Sequence, residues 1–142
     1  MDHYNLERFI EAQSGIYQYV KEELTAGDKQ SHWMWFVFPQ IKGLGFSSTA
    51  NYYAIQSLAE AKAYFQHPVL GKRLEECCQI LLKSTDKTAE EIFGFPDILK
   101  LKSSMTLFHI ATGNPLFQQV LDKYYQGEKD EKTLKITIDR QT

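Results

Sequence analysis

The sequence predicts an all-α protein, a single compact globular domain of about six to eight mainly helical segments joined by short loops. Three observations lead there. Apolar residues recur at three- and four-residue steps along several stretches, as they do on one face of a helix. Capping residues and breakers punctuate those stretches. Strong strand and hairpin signals are absent. With 142 residues, 43% of them hydrophobic and 13% aromatic, residues 1–142 read as one domain without linker, repeat or low-complexity stretch. A chain of this size buries about two thirds of the surface it exposes when extended, enough for a core without disulfide or metal staples.

Leu6, Phe9, Ile10, Ile16, Tyr17, Val20 and Leu24 mark the first helix, with Asn5 as its cap and Gly27 as its end. Gln13 interrupts that apolar face. In the run Trp33–Phe38, periodicity fits a short buried strand as well as a short buried helix, and Pro39 ends either. Gln40–Phe46 then reads as a loop around Gly43 and Gly45. Ser47, Ser48 and Thr49 are caps for a segment containing Ala50, Tyr52, Tyr53 and Ile55. Ser57 with Glu60 has the spacing of a capping box ahead of a helix over Leu58–Gln66. His67-Pro68 breaks it, and Pro68 suits the first turn of the next helix, with Leu70, Leu74, Cys77, Cys78 and Leu81 on its buried stripe.

A second capping box, Thr88 with Glu91, opens a helix of one or two turns that Gly94 ends. Pro96 starts a helix apolar nearly all round, hence central, and Gly113 ends it. Asn114 caps and Pro115 opens the next, which packs Leu116, Phe117, Val120, Leu121 and Tyr124 inward. Residues 127–142 form a charged tail with room for a short helix capped by Asp130.

Sixteen basic residues face eighteen acidic ones, for a net charge of −2. A general nucleic-acid binder shows a basic excess, because counterion release drives its affinity, so bulk nucleic acid is not an expected partner. Cys77 and Cys78 are the two cysteines. Adjacent thiols suit neither an ordinary disulfide nor a zinc cage, and they read as small buried apolar groups. No signal-peptide pattern and no apolar run of membrane length is visible, so a cytoplasmic setting without membrane attachment is expected.

Ser31–Gln40, running Ser-His-Trp-Met-Trp-Phe-Val-Phe-Pro-Gln and followed by Gly43-Leu44-Gly45, is more distinctive. It resembles the bacterial domain of unknown function family numbered 1810, which some genomes mislabel as calpastatin. Phe9–Gln13, Tyr53–Ile55 followed by Glu60-Ala61, His67–Gly71 with Arg73-Leu74, and Lys100–Phe108 resemble it as well. Phe46 and the doubled Cys77-Cys78 depart from the family pattern. The resemblance implies a compact, mainly helical domain and no activity.

Candidate chemistry gathers around the same run. His32 has the imidazole for a general acid or base, and equally for satisfying a buried carbonyl. Trp33 and Trp35 lie two apart and cannot share a helix face, so one can fill the core while the other offers a stacking surface. Lys42, Gly43, Gly45 and Ser47 form a candidate anion loop, in which glycines let backbone amides approach a phosphate or carboxylate. A tight turn explains the glycines as well. His67 and Arg73 have ordinary roles as backbone cap and surface cation, and become ligand contacts if they face that loop. Ser104, with its neighbours Ser103 and Thr106, sits on the central helix, where an unpaired hydroxyl costs about 1–3 kcal/mol. Gln13 poses the same question.

These residues suggest a protein, as binder or as enzyme, with a polar pocket for a small anionic or nucleotide-like molecule. Gln13, Ser31, Trp33, Trp35, Lys42, Gly43, Gly45, Ser47, His67, Arg73 and Ser104 would line it, with His32 as the acid or base if a reaction occurs. No metal site or cofactor is expected. The rival reading is a protein interaction module without catalysis, presenting Trp33, Tyr52 or Tyr53 to a partner.

Overall fold

In the computed structural model, residues 2–139 are described; Met1 and the last three residues of the expected tail lie outside them. Ten helices follow one another among the described residues: α1 (Glu7–Gln13), α2 (Tyr17–Ala26), α3 (Met34–Val37), α4 (Ser48–Tyr53), α5 (Leu58–Gln66), α6 (Leu70–Lys83), α7 (Ala89–Phe93), α8 (Asp97–Thr112), α9 (Pro115–Tyr125) and α10 (Glu131–Asp139). The excess over the expected six to eight has two sources. The first predicted helix is two, because Gly15 at φ +82° breaks it between Gln13 and Tyr17. In addition, Trp33–Phe38 contains a single helical turn, not a strand.

Most ends follow their sequence signals. Thr88 Oγ1 accepts from the Glu91 amide at 3.1 Å while Glu91 accepts from the Thr88 amide at 2.8 Å, a complete capping box. Asn114 caps α9 and Pro115 opens it. Gly113, at φ +69°, closes α8 in the left-handed conformation that glycine adopts without penalty. Two starts differ. The Asp2 carboxylate, not Asn5, accepts from the amides of Leu6 and Glu7 at the head of α1. At α5, Ser57 caps as expected, but Glu60 does not reach back to it.

Helix α8 is the central element. Leu101 and the unbroken run Ser103–Phe108 are buried, so this stretch is covered on every side, by α5, α9 and α10 above all. Helix α6 packs its stripe of Leu70, Leu74, Cys77, Cys78 and Leu81 between α2, α5 and α9. Both thiols are buried and free. Burial pushes the Cys77 thiol up to about 12, and Cys78 Sγ lies 3.7 Å from Met105 Sδ. Gly71 permits the tight α5–α6 turn, since a Cβ there would fall 1.9 Å from the Phe65 carbonyl oxygen.

The Glu60 carboxylate is buried, and so is Arg8. Arg8 Nη2 donates to Glu60 Oε2 at 2.8 Å and to the Ala54 carbonyl at 3.0 Å. Its Nε donates to the Tyr52 carbonyl at 2.8 Å. Nη1 donates to the carbonyls of Tyr4 and Asn5 at 2.6 and 2.8 Å. The second Glu60 oxygen accepts from the Gln56 amide at 2.9 Å. This cage ties α1 to the α4–α5 junction. There, a lone parallel bridge pairs Ile55 with Ile41, with Ile55 donating to Gln40 and Lys42 donating to Ile55, both at 2.8 Å.

Two stability predictions follow from these contacts. Glu60→Leu strands a buried guanidinium and should lower unfolding free energy by about 3–5 kcal/mol in urea titrations. Gly71→Ala drives a methyl into backbone and should cost about 3 kcal/mol in the same assay, the upper end of overpacking penalties.

Candidate functional site

Most of the expected site residues fall into three separate groups. The first is a buried network beneath α1. Gln13 is 1% exposed; its Nε2 donates to the Phe36 carbonyl at 2.6 Å and to Tyr64 Oη at 3.0 Å. Its Oε1 accepts from Arg73 Nη1 at 3.2 Å. Arg73 also lies over the Tyr17 ring, 4.9 Å from its centroid. Desolvation pushes the Tyr64 hydroxyl above its ordinary range. Gln13 and Arg73 therefore complete each other within the fold. His67 sits at the α5–α6 break, where its Nδ1 accepts from the amides of Val69 and Leu70 at 3.1 and 3.3 Å. It closes two backbone groups that a helix start leaves open.

The second group surrounds Glu23. Its carboxylate accepts from the Gln30 amide at 2.8 Å, the Ser31 amide at 3.0 Å, Ser31 Oγ at 2.7 Å and Trp33 Nε1 at 2.9 Å. Trp33 is 2% exposed and belongs to the core, so it can neither stack on a ligand nor greet a protein partner. His32, beside it, is exposed and is not among the residues that line the cleft described below. Ser104 belongs to none of the groups. It is fully buried on α8, and its hydroxyl has no hydrogen-bond partner. Its neighbours are satisfied: Thr106 donates back to the Lys102 carbonyl at 2.8 Å, and Ser103 Oγ meets Thr133 Oγ1 at 2.9 Å.

The third group lines a cleft. Trp35, Gly45 and Ser47 stand along a hollow of about 660 Å³, with Gln40, Leu44, Phe46 and Ala50 on the same wall. Pro96, Leu99, Lys100, Lys102 and Ser103 of the α8 side oppose them, and residues of the 128–132 segment close the end. Gly43 lies in a recess of about 10 Å³ that shares Trp35, Gln40, Gly45 and Ala50 with the cleft; that is room for roughly one water molecule. Gly45 keeps this wall thin, because a Cβ there would come 2.7 Å from that of Ala50. Lys42 is exposed and is held by its backbone amide. Ser47 Oγ accepts from the Ala50 amide at 3.1 Å. That amide of the six-residue α4 is therefore already satisfied within its own cap.

Charge in the cleft comes from Lys100 and Lys102 of α8, which the loop-based expectation did not include, and from Glu128, Asp130, Glu131 and Lys132 at its end. Asp97 holds Lys29 at 2.7 Å through one carboxylate oxygen and Lys100 at a looser 3.5 Å through the other. The Lys100 ammonium stands 4.4 Å from the centroid of the Trp35 ring, inside the range of a cation–π contact. Lys102 pairs with Glu128 at 2.6 Å. Leu99, expected on a covered helix, is 53% exposed, and Phe46 is 84% exposed. The signal available in sequence was the Lys100/Lys102 spacing beside Leu99. It is indistinguishable there from a solvated helix edge.

With this geometry in hand, comparison with known proteins is informative. The model of the family described as "Protein of unknown function (DUF1810)" matches residues 3–137. The chain belongs to that family. It is similar to the conserved hypothetical protein Rv1873 from Mycobacterium tuberculosis, whose crystal structure aligns with a TM-score of 0.93 at 51% identity, covering 95% of this chain and 97% of that one. No curated protein matches. Among the described residues, no helix is long and apolar enough to cross a membrane, and no three His, Cys, Asp or Glu side chains are grouped to hold a metal.

The Glu23 cluster yields a pH prediction. Burial pushes its carboxyl up, but the hydrogen bonds from Ser31, Gln30 and Trp33 outweigh that and hold it below its ordinary range. A depressed carboxylate stabilises the fold fully above its unfolded value of about 4.3, and that contribution is lost as pH falls through the folded value. Urea unfolding between pH 7 and pH 3 should lose less stability in Glu23→Gln than in the wild type.

Proposed function

We propose that this protein binds a small anionic or nucleotide-like molecule in the cleft between the 40–47 loop and α8. One observation carries the reading: an indole on one wall and a loosely paired ammonium on the other stand 4.4 Å apart in the same cleft. Lys29 and Lys100 bring two positive charges to a single Asp97 carboxylate, so one positive charge is left over beside Trp35. A flat ring stacking on Trp35 would place an attached phosphate or carboxylate near Lys100. The volume lies in the range of sites for small molecules, about 300–1,000 Å³, and Leu44, Leu99 and Phe46 supply apolar lining. His32 stands apart from the cleft, so the reading is binding, with no reaction assigned.

Exposed Phe46, Phe95 and Leu99, at 84, 80 and 53%, favour a second reading in which this face docks a protein partner. Tyr52, at 55%, is also exposed but lies away from the cleft, over the Arg8–Glu60 cage.

AMP titration followed by intrinsic tryptophan fluorescence and thermal unfolding separates the two. Saturation at 100 times the dissociation constant should raise stability by about 2.7 kcal/mol. Trp35→Ala and Lys100→Met should each weaken AMP about tenfold, in line with stacking contributions of about 1–3 kcal/mol per base. AMP binding that survives both substitutions, or no binding by AMP, adenosine or ribose 5-phosphate, overturns the reading in favour of the docking face.

A further inference from the structure

The end of the cleft is closed by Glu128, Asp130, Glu131 and Lys132, the segment that leads into α10 and forms its first turn. This wall is attached differently from the others. Helix α9 buries Leu116, Phe117, Val120 and Leu121. The fully buried side chains of α10 are Thr133 and Thr137, while Leu134 and Ile136 are only partly buried and Ile138 is 64% exposed. A buried large apolar side chain contributes more than a hydroxyl contact that is exchanged for water on opening. The helix is thus held chiefly by a polar latch.

The latch can be resolved to its protons. Thr133 donates its hydroxyl hydrogen to Asp130 Oδ2 at 2.6 Å, so in the 2.9 Å contact with Ser103 the serine must donate and the threonine accept. Thr106 donates to the Lys102 carbonyl and accepts from the Asp130 amide at 2.9 Å. Beyond these, Lys102 reaches Glu128, whose side chain is 71% exposed, and exposed ion pairs hold little. Immediately before the latch, Gln126 and Gly127 both have positive φ, +55° and +80°. They form a sharp turn that separates α10 from α9.

We propose that α10 is a detachable wall of the cleft, which undocks from α8 by breaking the Ser103–Thr133 and Asp130–Thr106 contacts, and that a ligand in the cleft holds it closed. The proposal rests on the binding reading above. Elements with few buried apolar contacts open locally at far lower cost than the whole fold. Among the wall residues Lys132 is the cation, and an anionic ligand that reaches it on the closed wall, and not on the open one, shifts that equilibrium by its differential affinity. The same residues that complete the cleft would then set how quickly it fills and empties.

Amide hydrogen exchange on the full chain tests this, with AMP as the probe and three proteins: wild type, Ser103→Ala, and Ser103→Cys/Thr133→Cys oxidised to a disulfide. Residues 135–139 should exchange at least about 100-fold faster than residues 101–108 of α8. Ser103→Ala should speed the α10 amides about fivefold further, the equivalent of one hydrogen bond, and leave α8 unchanged. The disulfide should suppress the fast exchange, and AMP should slow it in the wild type as the cleft fills. Wild-type α10 amides exchanging as slowly as those of α8 overturn the proposal, as does AMP binding that leaves α10 exchange unchanged. Failure of AMP to bind any of the three proteins removes the binding reading and the gating with it. That result is distinguished from the first two by an absent fluorescence titration alongside fast α10 exchange.

Discussion

A buried guanidinium organises the part of this protein that carries the proposed site. Arg8 places five hydrogen bonds, four on carbonyls and one on Glu60, and so satisfies every N–H that the group carries. Its partners come from the chain start and from the α4–α5 junction, regions about 50 residues apart along the chain. By fixing the carbonyls of Tyr52 and Ala54 it fixes α4, and through the adjoining Ile41–Ile55 bridge it fixes the loop that carries Gly43 and Gly45. Trp35 faces that loop across the recess. The shape of the cleft wall is therefore set from behind by an ion pair that no ligand would touch.

Much of the helical plan is visible in the sequence because it is local. Thr88 with Glu91, Asn114 with Pro115, and Gly113 act on backbone groups within one turn, so residue type and spacing suffice to place them. The break at Gly15 is less legible, since apolar spacing resumes at Ile16 in a register compatible with one continuous helix. Glu60 misleads for a different reason. Its position matches a reciprocal cap, but the partner that claims its carboxylate is Arg8, and pairing over that distance leaves no mark on local spacing.

The candidate site shows the same division. Gln13, Arg73, His67 and Ser31 are polar residues among apolar ones, which is the pattern expected of a shared pocket. Each finds a partner inside the fold instead: a carbonyl, a neighbouring amide, or the Glu23 carboxylate. Trp35, Gly45 and Ser47 do share a hollow, and the loop sequence pointed to them. The opposing lysines of α8 are visible as a short basic pair but not as site residues, because a helix of high apolar content reads as covered on every side. Near Asp97–Lys100 the cover stops, leaving Leu99 and Lys100 at the cleft. Which part of α8 is covered depends on the elements packed against it, a tertiary matter.

The two sulfhydryls of α6 have a consequence for where such a fold can exist. Both are sealed between helices, and the thiolate that alkylators and oxidants require is disfavoured by the apolar surroundings. Neither glutathione-rich nor oxidising surroundings would alter the native molecule. Its sulfur chemistry stays silent until the centre of the helical assembly comes apart, so reaction with a thiol reagent would time that event.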